Sequence, residues 1–182
     1  MEKRFSGRIW KFGDDIDTDT IIPGKRGTIP DRNEMKKYAF ELLKPEFGST
    51  VQAGDILVAG SNFGCGSSRE HAAWAIADYG FRVVISSFFA DIHKNNELNN
   101  FVLPVVVSEG FLSHLFQSIS ADAATVVEVN LPEQTVTNKA TGETEHFDIN
   151  GYKKYCLMNG LDDIDFLVQN RDKVAAFERA RA

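Results

Sequence analysis

Cysteine and long apolar runs are scarce in this chain of 182 residues. The two cysteines, Cys65 and Cys156, are too few for a metal framework, and no Cys-x-x-Cys spacing exists. No apolar run approaches the length of a transmembrane helix, and the charged N-terminus lacks the apolar segment of a targeting peptide. We therefore expect a cytoplasmic protein that binds no membrane, holds no metal and keeps both thiols reduced.

Basic side chains are also in the minority, with 20 lysines and arginines against 26 aspartates and glutamates and a formal net charge of −6. This balance disfavours nucleic acid or an anionic membrane as the main partner. Hydrophobic residues make up 43% and charged residues 25%, as in ordinary globular proteins, and no repeat or linker interrupts the chain. We expect a single domain over residues 1–182.

Strand and helix patterns alternate along the first part of the chain. The predicted strands are residues 5–12, 55–59, 81–86 and 103–107, and the predicted helices are residues 31–43, 72–77 and 87–98. In the last of these helices, Phe88, Phe89 and Ile92 are expected on the apolar side. The alternation predicts an α/β fold with parallel strands, in which ligands collect beyond the carboxyl ends of the strands.

The second part of the chain has a different pattern. A short helix is expected at 110–120, followed by an antiparallel hairpin or meander with strands at 125–129, 134–137 and 143–147. A helix over 150–159 should end at Gly160. The last segment, residues 170–182, is predicted to be an exposed helix that turns Val174 and Phe177 toward the core.

The most distinctive segment is residues 60–71, Gly-Ser-Asn-Phe-Gly-Cys-Gly-Ser-Ser-Arg-Glu-His, between a predicted strand and a predicted helix. Its glycines permit a tight turn and a close approach to a ligand. Ser67 and Ser68 are expected at the N-cap of the helix. A helix N-terminus attracts anions, and the guanidinium of Arg69 is suited to bind a carboxylate. The segment therefore predicts an anion site with a hydroxyl at its centre.

Other kinds of site fit this segment less well. Arg69 occupies the position of the third glycine in a dinucleotide-binding loop, and the Gly-Lys-Ser/Thr of a P-loop is missing. Ser67 does not stand in the Gly-x-Ser-x-Gly of a nucleophile elbow, and the spacing of the four histidines selects none of them as its base. Cys65 alone is best interpreted as a small loop residue.

Two further segments and one histidine leave alternatives open. Residues 14–20 carry four aspartates, which fit either a solvated turn or a carboxylate that orients a catalytic group, whereas the Gly and terminal Glu of an EF-hand are missing. Residues 24–27, Gly-Lys-Arg-Gly, form a basic loop that is either solvated or closes over an anion. His93 is either an ordinary helix residue or a functional one.

Residues 62–73, together with Asp-Asp-Ile-Asp-Thr-Asp-Thr-Ile-Ile-Pro at 14–23, resemble the aconitase superfamily. The resemblance is closer to its family of isopropylmalate isomerase small subunits. It continues in order through 78–85, 87–93 and the Leu-Pro pair at 103–104. Residues 156–164 resemble the tail of the bacterial type of this subunit.

The resemblance implies a fold, a reaction and a partner. The fold is the swivelling β/β/α domain with a mixed sheet. The reaction is the isomerisation of 2-isopropylmalate and 3-isopropylmalate by dehydration and rehydration, in leucine biosynthesis. A large subunit would carry a 4Fe–4S cluster as Lewis acid, and this chain would bind no cofactor and act only in a heterodimer or heterotetramer with it.

The resemblance also implies roles for single residues. Ser67 matches a serine that acts as an alkoxide base, and Ser68 and Arg69 match positions that bind substrate carboxylates. Arg26, beside Lys25 in the basic loop, lies where relatives place a residue that contacts the substrate. The supporting positions are Asp17 or Asp19, His93, Gly64 and Gly66.

The loop at 24–30 lacks the Tyr-Leu type of residues that many relatives carry there. Homoaconitate, 2,3-dimethylmalate and citramalate therefore stay open as substrates. A non-catalytic module that binds an anion or RNA is a further alternative.

Overall fold

The computed structural model describes residues 3–181. Its strands are β1 (Arg4–Gly7), β2 (Ile9–Lys11), β3 (Ile56–Val58), β4 (Val83–Ser86), β5 (Leu103–Val106), β6 (Val127–Asn130), β7 (Thr135–Asn138) and β8 (Thr144–His146). Its α-helices are α1 (Thr18–Ile21), α2 (Arg32–Met35), α3 (Phe47–Thr50), α4 (His71–Asp78), α5 (Asp91–Asn99), α6 (Glu109–Ala121), α7 (Gly151–Asn159), α8 (Asp163–Gln169) and α9 (Arg171–Arg181).

One sheet is parallel and has the strand order β2-β3-β4-β5. Helix α4 connects β3 to β4, and α5 connects β4 to β5, as the alternating pattern predicts. Pro104 of β5 pairs with Val84 of β4. Strand β5 lies at the edge of the sheet, where the missing N–H of a proline is tolerated. The segments that follow β2, β3 and β4 all leave from the same edge of the sheet.

The parallel sheet is buried on both faces. Ile56 and Val58 of β3 pack into one apolar cluster, and Leu57 between them packs into the other. Val84 of β4 belongs to the same cluster as Leu57. Since neighbouring side chains of a strand point to opposite faces, a continuous apolar run is what such a doubly covered strand requires.

The second sheet is antiparallel, with the order β1-β6-β7-β8. Val127 and Val129 of β6 and Val136 of β7 turn inward and share an apolar cluster with one face of the parallel sheet. The predicted antiparallel meander is therefore confirmed. The parallel and antiparallel strands lie in two separate sheets.

The predicted strand at 5–12 is wrong as a single element. Phe5 lies in β1, which pairs with β6, whereas Trp10 lies in β2, which pairs with β3. The chain changes sheets between them, where Gly7 passes against the backbone carbonyl of Gly54. A Cβ at this position would overlap that carbonyl, so the crossing requires a glycine.

The predicted helix at 31–43 is also wrong. The structure has only the single turn of α2 there, followed by a 3₁₀ turn over Lys36–Tyr38. The cause lies at Phe40, which adopts a φ of 55° and donates its N–H to the carbonyl of Ile21 at 2.9 Å. Its fully buried ring packs 4.4 Å from that of Phe12 and 4.8 Å from that of Phe47, measured between centroids. Burial of the aromatic ring outweighs helix propensity here.

The helix expected at 87–98 begins later, at Asp91, and its buried side is not the predicted one. Phe89 is buried as expected, but Phe88 and Ile92 are exposed. The buried residues of α5 are instead His93 and Glu97.

The C-terminal part of the chain matches the prediction at one helix and differs at another. Helix α7 begins directly after Asn150, whose side chain caps its first turn. As expected, it ends at Gly160, which has a φ of 66°. Val174 and Phe177 of α9 are exposed, so their predicted orientation toward the core is wrong. Within residues 3–181, no helix is both long and apolar enough to span a membrane.

Candidate active site

Three loops meet at the carboxyl ends of the parallel strands. The first is residues 12–17 after β2, the second residues 59–70 after β3, and the third residues 87–90 after β4. Backbone hydrogen bonds join the first two, from Thr18 N to the carbonyl of Cys65 at 2.9 Å and from Gly64 N to that of Ile16 at 2.7 Å. The second loop is joined to the third by a bond from Phe63 N to the carbonyl of Phe88 at 3.0 Å. The acidic segment at 14–20 therefore lies against the glycine-rich segment, because both follow parallel strands that end at the same edge of the sheet.

The glycine-rich loop turns through two residues in the left-handed region, Gly64 with a φ of 76° and Gly66 with a φ of 91°. Ser67 and Ser68 do not cap α4, which begins only at His71 and has no side-chain cap. The predicted N-cap role is therefore wrong, because Glu70 occupies the N-cap position and separates both serines from the helix.

The hydroxyl of Ser67 has two polar neighbours. Arg69 donates its Nε–H to Ser67 Oγ at 2.7 Å, and Thr18 Oγ1 lies 3.1 Å from the same oxygen. Ser67 N also donates to Thr18 Oγ1, at 3.1 Å. Ser67 is exposed, whereas Thr18 is buried. The side chain therefore reaches solvent while its oxygen is held by a cation and a second hydroxyl.

Asp19 holds Arg69 in this position. Its Oδ1 lies 2.6 Å from Arg69 Nη2 and accepts a hydrogen bond from Gly24 N at 2.9 Å. The hydrogen bond from Arg69 lowers the pKa of the Asp19 carboxyl below its usual value. Gly24 packs directly on the guanidinium, and a Cβ there would overlap it. The basic loop therefore borders the site.

Asp17 and Ser68, also predicted to belong to the site, have different surroundings. Asp17 caps α1, with its Oδ1 accepting from Thr20 N at 2.6 Å. The side chain of Ser68 is exposed, and its carbonyl accepts a hydrogen bond from Asn96 Nδ2 at 3.4 Å. Asp19, rather than Asp17, is the aspartate in contact with Arg69.

The two cations of the basic loop differ in their contacts. Arg26 donates from Nε and Nη2 to the two carboxylate oxygens of Glu41, each at 3.1 Å, and its guanidinium lies 3.6 Å from the ring centroid of Tyr38. The hydrogen bonds to Glu41 raise the pKa of Arg26. Lys25 is exposed on the same turn. Arg26 is therefore held by protein groups, and Lys25 points into solvent.

His93 lies beneath the glycine-rich loop, only 2% exposed. Its ring packs against Gly64 and lies 5.4 Å from the ring of Phe63, measured between centroids. On the same helix, Glu97 is fully buried, with Oε1 3.2 Å from His93 Nε2.

The sequence interpretation missed Thr18, Glu97 and two asparagines that contact the loop, one in α5 and one at its C-cap. Asn96 is one of them, and Asn100 Nδ2 donates to Glu70 Oε1 at 2.9 Å. Thr18 follows Asp17 in the segment already singled out, so a pattern for it existed. The polar face of α5 could have been found from its i, i+3, i+4 spacing.

The two thiols have different surroundings. Cys156 is buried, and burial together with Asp17 and Asp15 raises the pKa of the half-buried Cys65 thiol. Across the described residues 3–181, His, Cys, Asp and Glu side chains form no group of three or more that could hold a metal ion. The side chains present do not fit an iron–sulfur cluster.

Comparison with known proteins identifies the family of the chain. The model of the aconitase C-terminal domain family matches residues 12–110, which include all the site residues described above. Two curated 3-isopropylmalate dehydratase small subunits match nearly the whole chain. The subunit of Azobacteroides pseudotrichonymphae is 49% identical, and the match covers 90% of this chain and 89% of that subunit. The subunit of Cytophaga hutchinsonii is 47% identical, and the match covers 91% of this chain and 88% of that subunit. The chain belongs to the 3-isopropylmalate dehydratase small-subunit family.

A crystal structure supports the same assignment. That of 3-isopropylmalate dehydratase from Methanocaldococcus jannaschii superposes with a TM-score of 0.78, covering 96% of this chain and 99% of the other at 30% identity. The predicted family and the α/β fold of the aconitase C-terminal domain, with parallel and antiparallel strands, are thus confirmed.

Proposed function

We propose that this chain is the small subunit of a two-component hydro-lyase that interconverts 2-isopropylmalate and 3-isopropylmalate in leucine biosynthesis. The observation that carries the proposal is the hydrogen bond from Arg69 to Ser67 Oγ, in a chain of this family. In it, a hydroxyl on an exposed loop contacts a guanidinium, a group suited to bind a carboxylate. The isomerisation needs both, because a proton must leave a carbon next to a carboxylate.

Ser67 is the proposed base. Its alkoxide takes the proton from the carbon beside the substrate carboxylate, while the hydroxyl on the neighbouring carbon leaves as hydroxide and a double bond forms. The proton held by Ser67 and the departed hydroxide together make up the water that is removed, and release of that proton restores the alkoxide. Re-addition of water in the opposite sense gives the isomer. An alkoxide is stable only near positive charge and hydrogen-bond donors, and Arg69 Nε–H and the hydroxyl of Thr18 are the donors at hand.

Arg69, Ser68, Lys25 and Arg26 are the proposed substrate-binding residues. The guanidinium of Arg69 is already paired with Asp19, so a substrate carboxylate would exchange with or join that carboxylate. Arg26 is held by Glu41, which leaves exposed Lys25 as the more accessible cation of the loop. Gly64 and Gly66 shape the turn, and Asp19 orients Arg69.

The proposal includes a large partner subunit that carries a 4Fe–4S cluster. The small-subunit name of the relatives supports a partner, and the site offers only half of the chemistry, a base and an anion clamp. The cluster supplies a Lewis acid for the leaving hydroxyl when the partner is bound. The assembly is a heterodimer or a heterotetramer.

The test uses the chain reconstituted with the cluster-loaded large subunit. Dehydration of 3-isopropylmalate is followed by the ultraviolet absorption of the new double bond. We expect activity only when both chains are present, and Ser67→Ala should lower kcat by about 10²- to 10⁴-fold without changing assembly on size exclusion. The matched control is Ser113→Ala, which alters an exposed serine of α6 and should have no effect.

The results that contradict the proposal are equally definite. Turnover by the isolated chain would remove the partner requirement, and near-normal turnover by the Ser67→Ala enzyme would remove the base. A panel with homoaconitate, 2,3-dimethylmalate and citramalate tests the substrate, because faster turnover of any of these would replace isopropylmalate.

A further inference from the structure

Helix α5 turns a polar face toward the glycine-rich loop. This face follows the spacing i, i+3, i+4, i+7, which brings side chains to one side of a helix. Its members are His93, Asn96, Glu97 and the C-cap residue Asn100. His93 and Glu97 are buried there, whereas apolar Ile92 is exposed. A helix that packs on a domain normally does the reverse, so the inward polar face calls for a reason other than burial of apolar surface.

Two members of this face form a pair in the interior. His93 Nε2 and Glu97 Oε1 are 3.2 Å apart, and the two side chains are 1% and 0% exposed. The 3.2 Å separation is close enough for a shared proton, but neither ring nitrogen and neither carboxyl oxygen has a well-aligned hydrogen bond in the described part of the chain, not even to the other member of the pair. Burial raises the pKa of Glu97, and His93 opposes that shift. Such groups cost stability where they are, since apolar side chains would fill the same space without desolvation.

The polar face contacts the loop on both sides of Ser67. Before it, Gly64 lies against the imidazole so closely that a Cβ would be 2.5 Å from His93 Cβ and would overlap the ring. After it, Asn96 binds the carbonyl of Ser68, and Asn100 binds Glu70. The loop is thus fixed to α5 at its first turn and again beyond the serine.

We propose that His93 and Glu97 are positioning residues for Ser67. A proton shared between His93 Nε2 and the Glu97 carboxyl locks the imidazole in one orientation, and its face fixes the turn at Gly64 from which Ser67 projects. The kinetic part of this proposal rests on the proposed function, and the structural part does not. If the pair merely filled space, an apolar side chain of similar volume at position 97 would serve equally well.

The experiment compares Glu97→Met, which keeps the volume and removes the hydrogen-bonding group, with Glu97→Gln, which keeps both. Hydrogen exchange is measured on the isolated full chain. In the Glu97→Met chain, we expect the amides of residues 64–69 to exchange about tenfold faster or more, while those of β4 and β5 stay near wild type. The Glu97→Gln chain should match wild type. Glu46→Gln, on an exposed glutamate, is the matched control.

With the partner, Glu97→Met should lower kcat by about 10- to 100-fold, since a small displacement of a catalytic group costs that much, and Glu97→Gln should restore it. Unchanged exchange at residues 64–69 in the Glu97→Met chain overturns the proposal. So does faster exchange spread evenly over loop and strands, or a Gln variant as impaired as the Met variant.

Two further arrangements keep the result decisive. If the Glu97→Met chain does not fold, ¹⁵N NMR of the wild-type imidazole decides, because the proposal requires a proton shared at His93 Nε2. A shift equal to that of a free, unprotonated ring nitrogen would overturn it. Since exchange is measured without the partner, an inactive wild-type enzyme would count against the proposed function alone. The exchange rates would still decide whether the pair positions the loop.

Discussion

Two glycines with nearly the same φ allow the steric cost of the contact between the loop and His93 to be measured. Gly64 has a φ of 76° and Gly142, in the turn between β7 and β8, a φ of 78°. A Cβ at Gly142 would meet nothing within 4 Å, whereas a Cβ at Gly64 would overlap the imidazole of His93. Alanine at either position therefore carries the same backbone cost, and only Gly64→Ala adds a steric one.

The magnitudes follow from these two terms. A left-handed conformation costs a non-glycine residue about 1–2 kcal/mol, and the lower entropy of the unfolded alanine chain returns about 0.4–1 kcal/mol. Gly142→Ala should therefore lower the free energy of unfolding by about 1 kcal/mol. Overlap with a packed ring adds about 1–3 kcal/mol, so Gly64→Ala should lower it by about 2–4 kcal/mol.

Urea unfolding of the isolated chain, followed by circular dichroism, measures both values. His93→Ala removes the ring but keeps the Cβ of residue 93, which would lie 2.5 Å from the new Cβ. In that background the loss caused by Gly64→Ala should therefore shrink while staying above the value found for Gly142→Ala. Equal losses at the two glycines in the wild-type background would refute the steric reasoning. A loss at Gly64 that His93→Ala leaves unchanged would show that the strain lies elsewhere in the loop.

Three other changes have definite expected outcomes. Asp19→Asn should lower stability by less than about 1 kcal/mol at neutral pH, since the contact with Arg69 is exposed and screened. Because the folded pKa of Asp19 is lowered, the difference measured by urea titration should begin to shrink as the pH falls below about 4 and should vanish once the pH has fallen through that lowered pKa. Glu41→Gln should free Arg26 for a second anion and lower KM of the reconstituted enzyme, and an unchanged KM would count against Arg26 as a substrate ligand. Asn150→Ala should cost about 1 kcal/mol in thermal unfolding through loss of the α7 cap.

Local chemistry made the centre of the site predictable. The run at 60–71 has a glycine-rich turn between an apolar strand and a small-residue helix, and each of these is decided by neighbours within a few residues. The guanidinium of Arg69 beside the hydroxyl of Ser67 is likewise a local contact, two residues apart in sequence. The parallel order of the middle strands followed from the alternation of strand and helix.

Contacts between distant segments were beyond the sequence. Thr18 meets Ser67 across 49 residues, through a register that the sheet sets and no local pattern reports. Phe40 leaves the helical conformation because an aromatic cluster is there to receive its ring. The polar side of α5 faces inward for a similar reason, because the glycine-rich loop contacts it there through Gly64 and the carbonyl of Ser68. In each case tertiary packing decides against a local preference.

The charges around Ser67 bear on the proposed need for a partner. Arg69 brings one positive charge to Ser67 Oγ, but Asp19 lies 2.6 Å from the same guanidinium and cancels most of its field. Thr18 adds a neutral hydroxyl, and no histidine is hydrogen-bonded to Ser67 in the described residues. An alkoxide needs more stabilisation than this near-neutral group provides. In the proposed complex we expect the additional positive charge to come from outside this group of three side chains, from Lys25 of the basic loop or from the partner, and the exposed position of Ser67 leaves its oxygen open to it.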